Sequence, residues 1–189
     1  HGFRSSPGSV KATQLRAAVD ALPVPARPRL YVPELSHDPD MAIAAILDRL
    51  RHDADPDALT FVGSSLGGFY ATHLAERLGA RAVLINPAIR PHDDLRPYVG
   101  VQTNLHTGAT FEVLPAHFDA LRALKVVRIT QPDRYFLLVE SGDEVLDYRE
   151  AVAYYGGAWQ YVRGGGDHAF TDFVAQIPAI LRFAGVRSA

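Results

Sequence analysis

The sequence predicts an α/β fold in which a mostly parallel sheet is covered by helices on both faces. Three observations favour it. Short apolar runs typical of buried strands recur along the chain, segments with helical periodicity separate them, and small polar loops follow several of the runs. At 189 residues the chain has the length of one domain with a sizeable core, so we treat residues 1–189 as a single domain.

The predicted elements alternate along the chain. Helices are predicted where apolar residues recur every three or four positions: 8–22, 40–52, 67–78, 116–124, 147–155 and 170–183. Strands are predicted at the short apolar runs: 30–32, 60–62, 82–85, 135–140 and 159–162. Pro23 ends the first helix, and Pro178 should bend or interrupt the last one.

Residues from about 89 to 124 break this rhythm, because prolines and glycines interrupt any long element there. The segment sits where a lid-like insertion is expected, and only residues 116–124 look helical. It offers apolar side chains that could line a substrate cleft: Ile89, Tyr98, Phe111, Leu114 and Phe118.

Residues 60–69 combine a strand-like run with a tight turn flanked by glycines. The turn reads Gly63-x-Ser65-x-Gly67, and a helical pattern follows it. In a nucleophile elbow the central serine has a strained backbone and projects above the sheet, and the glycines avoid collisions with neighbouring backbone. The pattern therefore predicts a nucleophilic Ser65, with an ordinary turn serine as the simpler alternative.

Two loops after later strand-like runs supply an acid and a histidine. The run 135–140 ends in a loop that contains Asp143, and the run 159–162 opens into a glycine-rich loop that contains His168. The order serine, aspartate, histidine is that of α/β-hydrolases and differs from those of chymotrypsin and subtilisin. We therefore predict an α/β-hydrolase fold with Ser65, Asp143 and His168 as a catalytic triad.

Other residues compete for two of these roles. Glu140, Glu144 and Asp147 lie close to Asp143, although Glu140 belongs to the strand pattern and Asp147 is placed to cap the following helix. Seven further histidines compete with His168, whose place in a glycine-rich loop after the last strand favours it.

The first residues supply a fourth part of the site. His1-Gly2-Phe3 resembles the His-Gly-x loop that follows an early strand in this fold and provides one backbone N–H of the oxyanion hole. The residue after the nucleophile provides the other, so the predicted donors are Phe3 and Leu66. Because an early strand should precede such a loop, we expect the natural protein to carry an apolar strand upstream of His1.

These segments together resemble the YqiA-type esterases, a bacterial family of small α/β-hydrolases. The likeness extends from residue 1 to about residue 183, and its pieces are HGFRSSPGS, GSSLGGFYA, GDEVLDY, GGDHAFTDF, Asn86-Pro87-Ala88 and Asn104–Gly108. The residues themselves suggest no role for the two asparagine segments. The resemblance implies an acyl-ester hydrolase with Ser65, Asp143 and His168 as its triad.

Composition excludes several classes of function. The formal charge is −2 and no basic run occurs, so nothing favours a nucleic-acid partner. The chain has no cysteine, which excludes disulfides, zinc thiolates and a cysteine nucleophile. The clusters at 37–40 and 92–94 are better explained as a helix cap and a polar loop than as metal sites. No apolar run approaches the roughly 20 residues that a membrane span needs. We expect a cytoplasmic protein without metal or cofactor.

The predicted function is a serine esterase that hydrolyses small carboxylic esters or thioesters through an acyl-enzyme intermediate. Two alternatives stay open. One is a catalytically silent member of the fold that binds a ligand or partner. The other is an acyltransferase that uses the same triad with an acceptor other than water.

Overall fold

The computed structural model describes residues 1–51, 55 and 58–186. Its strands are β1 (Thr60–Ser64), β2 (Arg81–Ile85), β3 (Gly100–Thr103), β4 (Thr110–Val113), β5 (Tyr135–Glu140) and β6 (Trp159–Arg163). Its α-helices are α1 (Val10–Asp20), α2 (Pro39–Leu50), α3 (Leu66–Leu78), α4 (Pro91–Asp94), α5 (Pro115–Ala123), α6 (Tyr148–Tyr154) and α7 (Phe173–Phe183). Short 3₁₀ turns occupy Val24–Ala26, Arg96–Tyr98 and Pro132–Arg134.

The main sheet has the strand order β1-β2-β5-β6, and every neighbouring pair is parallel. Parallel pairing brings the carboxyl ends of the strands to one edge of the sheet, so the loops after β1, β2, β5 and β6 lie side by side there. The loops predicted to carry the serine, the acid and the histidine are three of these four. The predicted α/β fold is confirmed.

Each face of the sheet packs against its own pair of helices. On one face, side chains that include Leu84, Leu137 and Val139 pack against residues of α3 and α6. On the other face, side chains that include Val83 and Leu138 pack against residues of α1 and α7. Successive residues of a strand point to opposite faces of the sheet. A sheet that is covered by helices on both faces therefore requires strands that are apolar at nearly every position.

The predicted strand at residues 30–32 is wrong. A strand needs a hydrogen-bonded neighbour, and among the described residues no strand pairs with the outer edge of β1. A cleft of about 630 Å³ lies along that edge, and residues 29–33, Leu15 and Val62 are part of its lining. The expected strand upstream of His1 stays a prediction.

The segment between β2 and β5 contains more structure than its sequence suggests. Besides α5, which lies where a helix was predicted, it forms α4 and an antiparallel hairpin of β3 and β4. Four-residue strands are too short to show a clear alternating pattern, which explains why the hairpin was missed. Phe118 and Leu121 of α5 join a core cluster with residues of α2 and α3, so the base of the segment is anchored on the body of the fold.

The last predicted helix begins later than expected, at Phe173, and it continues through Pro178 without a break. Among the described residues, no helix has the length and apolar character needed to cross a membrane.

Candidate active site

Ser65 lies on the sharp turn between β1 and α3, in a backbone conformation that side chains rarely adopt. Its φ is 56° and its ψ is −123°, a combination that costs on the order of 1–3 kcal/mol and persists only where the surroundings impose it. Its N–H donates to the carbonyl of Ile85, and its own carbonyl accepts from Gly68 and Ala88. These hydrogen bonds tie the turn to the end of β2 and to the first turn of α3.

The flanking glycines are required by close backbone approach, as the sequence predicted. A Cβ at Gly63 would overlap the backbone of Gly67, and one at Gly67 would lie 2.7 Å from the carbonyl oxygen of His1. Both contacts are with backbone, which cannot rotate away. The turn therefore excludes a side chain at either position while leaving that of Ser65 free to project toward the loops.

The structure brings the three predicted side chains into one hydrogen-bonded chain. Nε2 of His168 lies 3.1 Å from Oγ of Ser65, and Nδ1 of His168 lies 2.8 Å and 3.0 Å from the two carboxylate oxygens of Asp143. The Asp143 side chain is 1% exposed and that of His168 is 22% exposed. The buried Asp143 carboxylate fixes the His168 ring, and Nε2 of that ring reaches the hydroxyl of Ser65, which borders the cleft.

The carboxylate of Asp143 is held in its ionised form. Burial would raise its pKa, but hydrogen bonds from His168 and from the backbone N–H groups of Leu146 and Val145 outweigh that effect, and the pKa lies below its ordinary value. The two backbone donors lie 2.8 Å and 2.9 Å from Oδ1. An ionised Asp143 favours the tautomer in which Nδ1 carries the proton, which leaves Nε2 free to accept one from Ser65.

The competing carboxylates have other partners. Glu140 is fully buried and accepts hydrogen bonds from Arg163 and from the N–H of Asp167. Glu144 accepts from the backbone N–H of His168, and Asp147 caps α6 through the N–H of Arg149. Asp143 is thus the carboxylate that reaches the imidazole.

The predicted oxyanion donors lie on the two segments that border Ser65. Leu66 is the first residue of α3, where backbone N–H groups have no partner within the helix. Phe3 follows Gly2, whose α-carbon approaches Ser65 so closely that a Cβ there would lie 3.1 Å from the serine Cβ. Within the described chain neither the N–H of Phe3 nor that of Leu66 donates to a protein acceptor. Their role as oxyanion donors stays a prediction.

Asn86 has a role in the site that its sequence did not reveal. It is 3% exposed, lies just after β2 and has a φ of 40°, which asparagine tolerates better than most residues. Its side-chain oxygen accepts from the N–H of Glu140, and its side-chain nitrogen donates to the carbonyls of Asp167 and His168 at 3.0 Å and 3.2 Å. Asn86 therefore fastens the histidine loop to the end of β5.

Glu140 and Lys11 hold the same loop from two further sides. Oε2 of Glu140 lies 2.9 Å from the N–H of Asp167, and Nζ of Lys11 lies 2.6 Å from the carbonyl oxygen of Ala169. Asn86 follows the buried strand β2, and Glu140 is the last residue of the buried strand β5, both at the edge of the sheet where the site forms. A polar residue in such a position is the only feature of the sequence that could have pointed to either role. Lys11, on α1, has no such signal.

The cleft that reaches Ser65 and His168 is not lined by the five lid residues proposed from sequence. Phe118 is buried in the core, and the rings of Tyr98 and Phe111 pack against the ring of Phe3 instead. Ile89 borders a separate small pocket of about 10 Å³, and the side chain of Leu114 lies outside the cleft. Of the described residues in the segment 89–124, His106, in the loop between β3 and β4, lines the cleft.

The first acidic-histidine cluster caps a helix, as predicted, whereas the second lies in the short helix α4 and not in a polar loop. The Asp38 carboxylate accepts from the N–H groups of Asp40 and Met41 and so caps α2. His92 is buried beside Asp93 at the start of the lid segment. Among the residues that the structure describes, no group of three or more histidine or acidic side chains is arranged to hold a metal ion.

Comparison with solved structures shows the fold. The mouse α/β hydrolase domain-containing protein 10 superposes with a TM-score of 0.69 at 16% identity, covering 97% of this chain and 87% of that one. Est1E from Butyrivibrio proteoclasticus gives a TM-score of 0.61 at 14% identity, covering 97% and 84%. The α/β-hydrolase fold predicted from the sequence is confirmed.

Sequence comparison shows the family. The UPF0227 protein of Shewanella baltica (strain OS195) is 24% identical over 153 residues, which cover 78% of this chain and 76% of the relative. The model of the family described as "Uncharacterised protein family (UPF0227)" matches residues 1–185. The resemblance to YqiA-type proteins is confirmed, and the chain belongs to the UPF0227 family.

Proposed function

We propose that the protein is a serine hydrolase that cleaves small acyl esters or thioesters, with Ser65 as nucleophile, His168 as general base and Asp143 as the acid. One observation carries the proposal: a continuous hydrogen-bonded chain from Asp143 through His168 to Ser65, which is held in a strained turn. This arrangement fits nucleophile activation by an adjacent, oriented base.

The first half of the reaction forms an acyl-enzyme. Oγ of Ser65 attacks the carbonyl carbon while Nε2 of His168 takes the hydroxyl proton, and the carbonyl oxygen becomes an oxyanion. The N–H groups of Phe3 and Leu66 stabilise that charge, a contribution worth about 10²–10³ in rate per donor in other enzymes. The tetrahedral intermediate then collapses, and His168 passes its proton to the departing alcohol or thiol.

The second half releases the acid. Water attacks the acyl-enzyme as His168 takes one of its protons, and the second tetrahedral intermediate expels the Ser65 oxygen, which recovers its proton from the imidazolium. Asp143 stays ionised throughout and stabilises the imidazolium. No step needs a group from outside the chain other than substrate and water.

The proposed substrate class is supported by proteins of similar fold. Est1E has been solved with ferulic acid bound, and another similar structure (TM-score 0.63) comes from work on the lipolytic enzymes LipS and LipT. An ester and a thioester pass through the same oxyanion, so both stay within the proposal.

Hydrolysis of p-nitrophenyl butyrate and octanoate by the wild-type protein and two serine variants tests the proposal. Ser65→Ala should lose activity to the background rate, while Ser64→Ala, which removes the neighbouring hydroxyl, should stay within about threefold of wild type. Matched octanoyl oxygen and sulfur esters then rank the two substrate classes by kcat/KM. Activity that survives in Ser65→Ala, or a folded wild type that cleaves no ester, would refute the proposal.

A further inference from the structure

The β3–β4 hairpin is bonded directly to the loop that carries the predicted oxyanion donor. We define the oxyanion loop as residues 3–6. Nδ2 of Asn104 donates to the carbonyl of Ser5 at 2.8 Å, and the N–H of Leu105 donates to the carbonyl of Arg4 at 2.8 Å. In return, Nε of Arg4 donates to the carbonyl of Thr103 at 3.0 Å. Three hydrogen bonds thus join segments that lie about a hundred positions apart in sequence.

Asn104 uses both ends of its amide in this contact. Its side-chain oxygen accepts from the N–H groups of His106 and Thr107, at 2.9 Å and 3.1 Å, and so closes the hairpin turn. Its side-chain nitrogen is the donor that reaches Ser5. An aspartate at position 104 could close the turn, but its carboxylate has no N–H to donate. The side chain of a serine there is one bond shorter, so its hydroxyl would not reach the position of the amide nitrogen. Asparagine is therefore the side chain that fits both tasks.

The oxyanion loop needs such support because its backbone is strained. Arg4 has a φ of 57°, which a non-glycine residue keeps only where its surroundings impose it. The ring of Phe3 makes edge contacts with Tyr98 and with Phe111 of β4, at centroid distances of 5.4 Å and 5.8 Å. The hairpin and the turn before it therefore hold both the Phe3 side chain and the carbonyls that follow it, and so restrain the backbone next to the Phe3 N–H.

We propose that Asn104 is a positioning residue for the oxyanion hole: it holds the loop so that the Phe3 N–H faces the substrate carbonyl beside Ser65. The hairpin then supports the oxyanion loop. This inference rests on the proposed hydrolase function and assigns a task to the Asn104–Gly108 segment.

The test compares Asn104→Asp with Thr107→Ala. Asn104→Asp keeps the side-chain oxygen that closes the turn and removes the N–H that donates to Ser5. Thr107→Ala weakens the same turn, because it removes the hydroxyl that accepts from the Ala109 N–H, but it leaves the contacts with the oxyanion loop in place. Because loss of a whole oxyanion donor costs about 10²–10³, a misdirected donor should lower kcat by at least about tenfold. KM should stay within about threefold of wild type, and Thr107→Ala within about twofold in kcat.

A trifluoromethyl ketone, which forms an oxyanion adduct with the serine, supplies the second readout. Its affinity should fall in Asn104→Asp by the same factor as kcat/KM, since both depend on the oxyanion donors. Circular dichroism and thermal unfolding show whether Asn104→Asp is folded. If it is not folded, Asn104→Ser is used for the same comparison.

Each outcome decides the matter. The inference, but not the proposed function, is overturned if Asn104→Asp has the kcat of the wild type. It is also overturned if Thr107→Ala loses as much activity as Asn104→Asp, or if Asn104→Asp loses activity while its affinity for the ketone is unchanged. A wild type that neither cleaves esters nor binds the ketone overturns the proposed function and the inference with it.

Discussion

Replacing Asp143 by asparagine separates the proposed acid from the neighbouring carboxylates. In Asp143→Asn the amide oxygen can still accept from the N–H groups of Val145 and Leu146, which orients the new NH₂ group toward His168. That group then takes the place of the oxygen that lies 2.8 Å from Nδ1. Two donors cannot face each other, so the imidazole adopts the tautomer with its proton on Nε2.

The size of the effect follows from that tautomer. With a proton on Nε2, the nitrogen 3.1 Å from Oγ of Ser65 can no longer accept the hydroxyl proton. The same change in a serine protease triad lowers kcat about 10⁴-fold, which corresponds to roughly 5 kcal/mol of transition-state stabilisation. We expect a loss of that order in kcat/KM for p-nitrophenyl butyrate at pH 7 to 8.

Glu144→Gln is the matched control. Glutamine keeps an oxygen that can accept from the backbone N–H of His168, so the loop should hold and activity should fall less than tenfold. Ser65→Ala gives the background rate. The reasoning would be refuted if Asp143→Asn stayed within tenfold of wild type, or if Glu144→Gln lost as much as Asp143→Asn.

Two further predictions concern residues outside the triad. Asn86→Asp keeps the acceptor for Glu140 but turns a buried carboxylate toward the carbonyls of the histidine loop; we expect a kcat loss of about 10²-fold together with a lower Tm, measured by kinetics and thermal unfolding. Burial lowers the pKa of His73 and of His92, so the unfolded chain binds protons more readily than the folded one below about pH 6.5. The Tm should therefore fall as the pH drops from 7 to 5, and it should fall less steeply in His73→Gln. An equal fall in the variant and the wild type would contradict the role given to His73.

The sequence predicted the parts of the site that obey strict local rules. The elbow was recognisable because close backbone approach demands glycine at positions 63 and 67. The order of Ser65, Asp143 and His168 was informative because parallel strands bring their carboxyl ends to one edge. Periodicity was sufficient for six of the seven described α-helices, though not for α4, and for the strands of the main sheet.

The parts that depend on long-range contacts were not predictable. Asn86 and Asn104 act through carbonyl oxygens of residues that lie 81 to 99 positions away, and no local pattern reports such a partner. Residues 30–32 have the apolar character of a strand, yet a strand exists only where a neighbour pairs with it. The lid residues were expected at the cleft because they are apolar, but Tyr98 and Phe111 contact Phe3 instead.

Fluorophosphonate labelling with identification of the modified residue by peptide mass tests the central proposal most directly. The reagent reacts with an activated serine, so the hydrogen-bonded chain at Ser65 predicts one adduct on Ser65 in the wild type and in Ser64→Ala. Labelling should be abolished in Ser65→Ala and strongly slowed in a His168→Ala variant. An adduct on another residue, or a folded wild type that stays unlabelled while a control hydrolase reacts, would contradict Ser65 as the nucleophile.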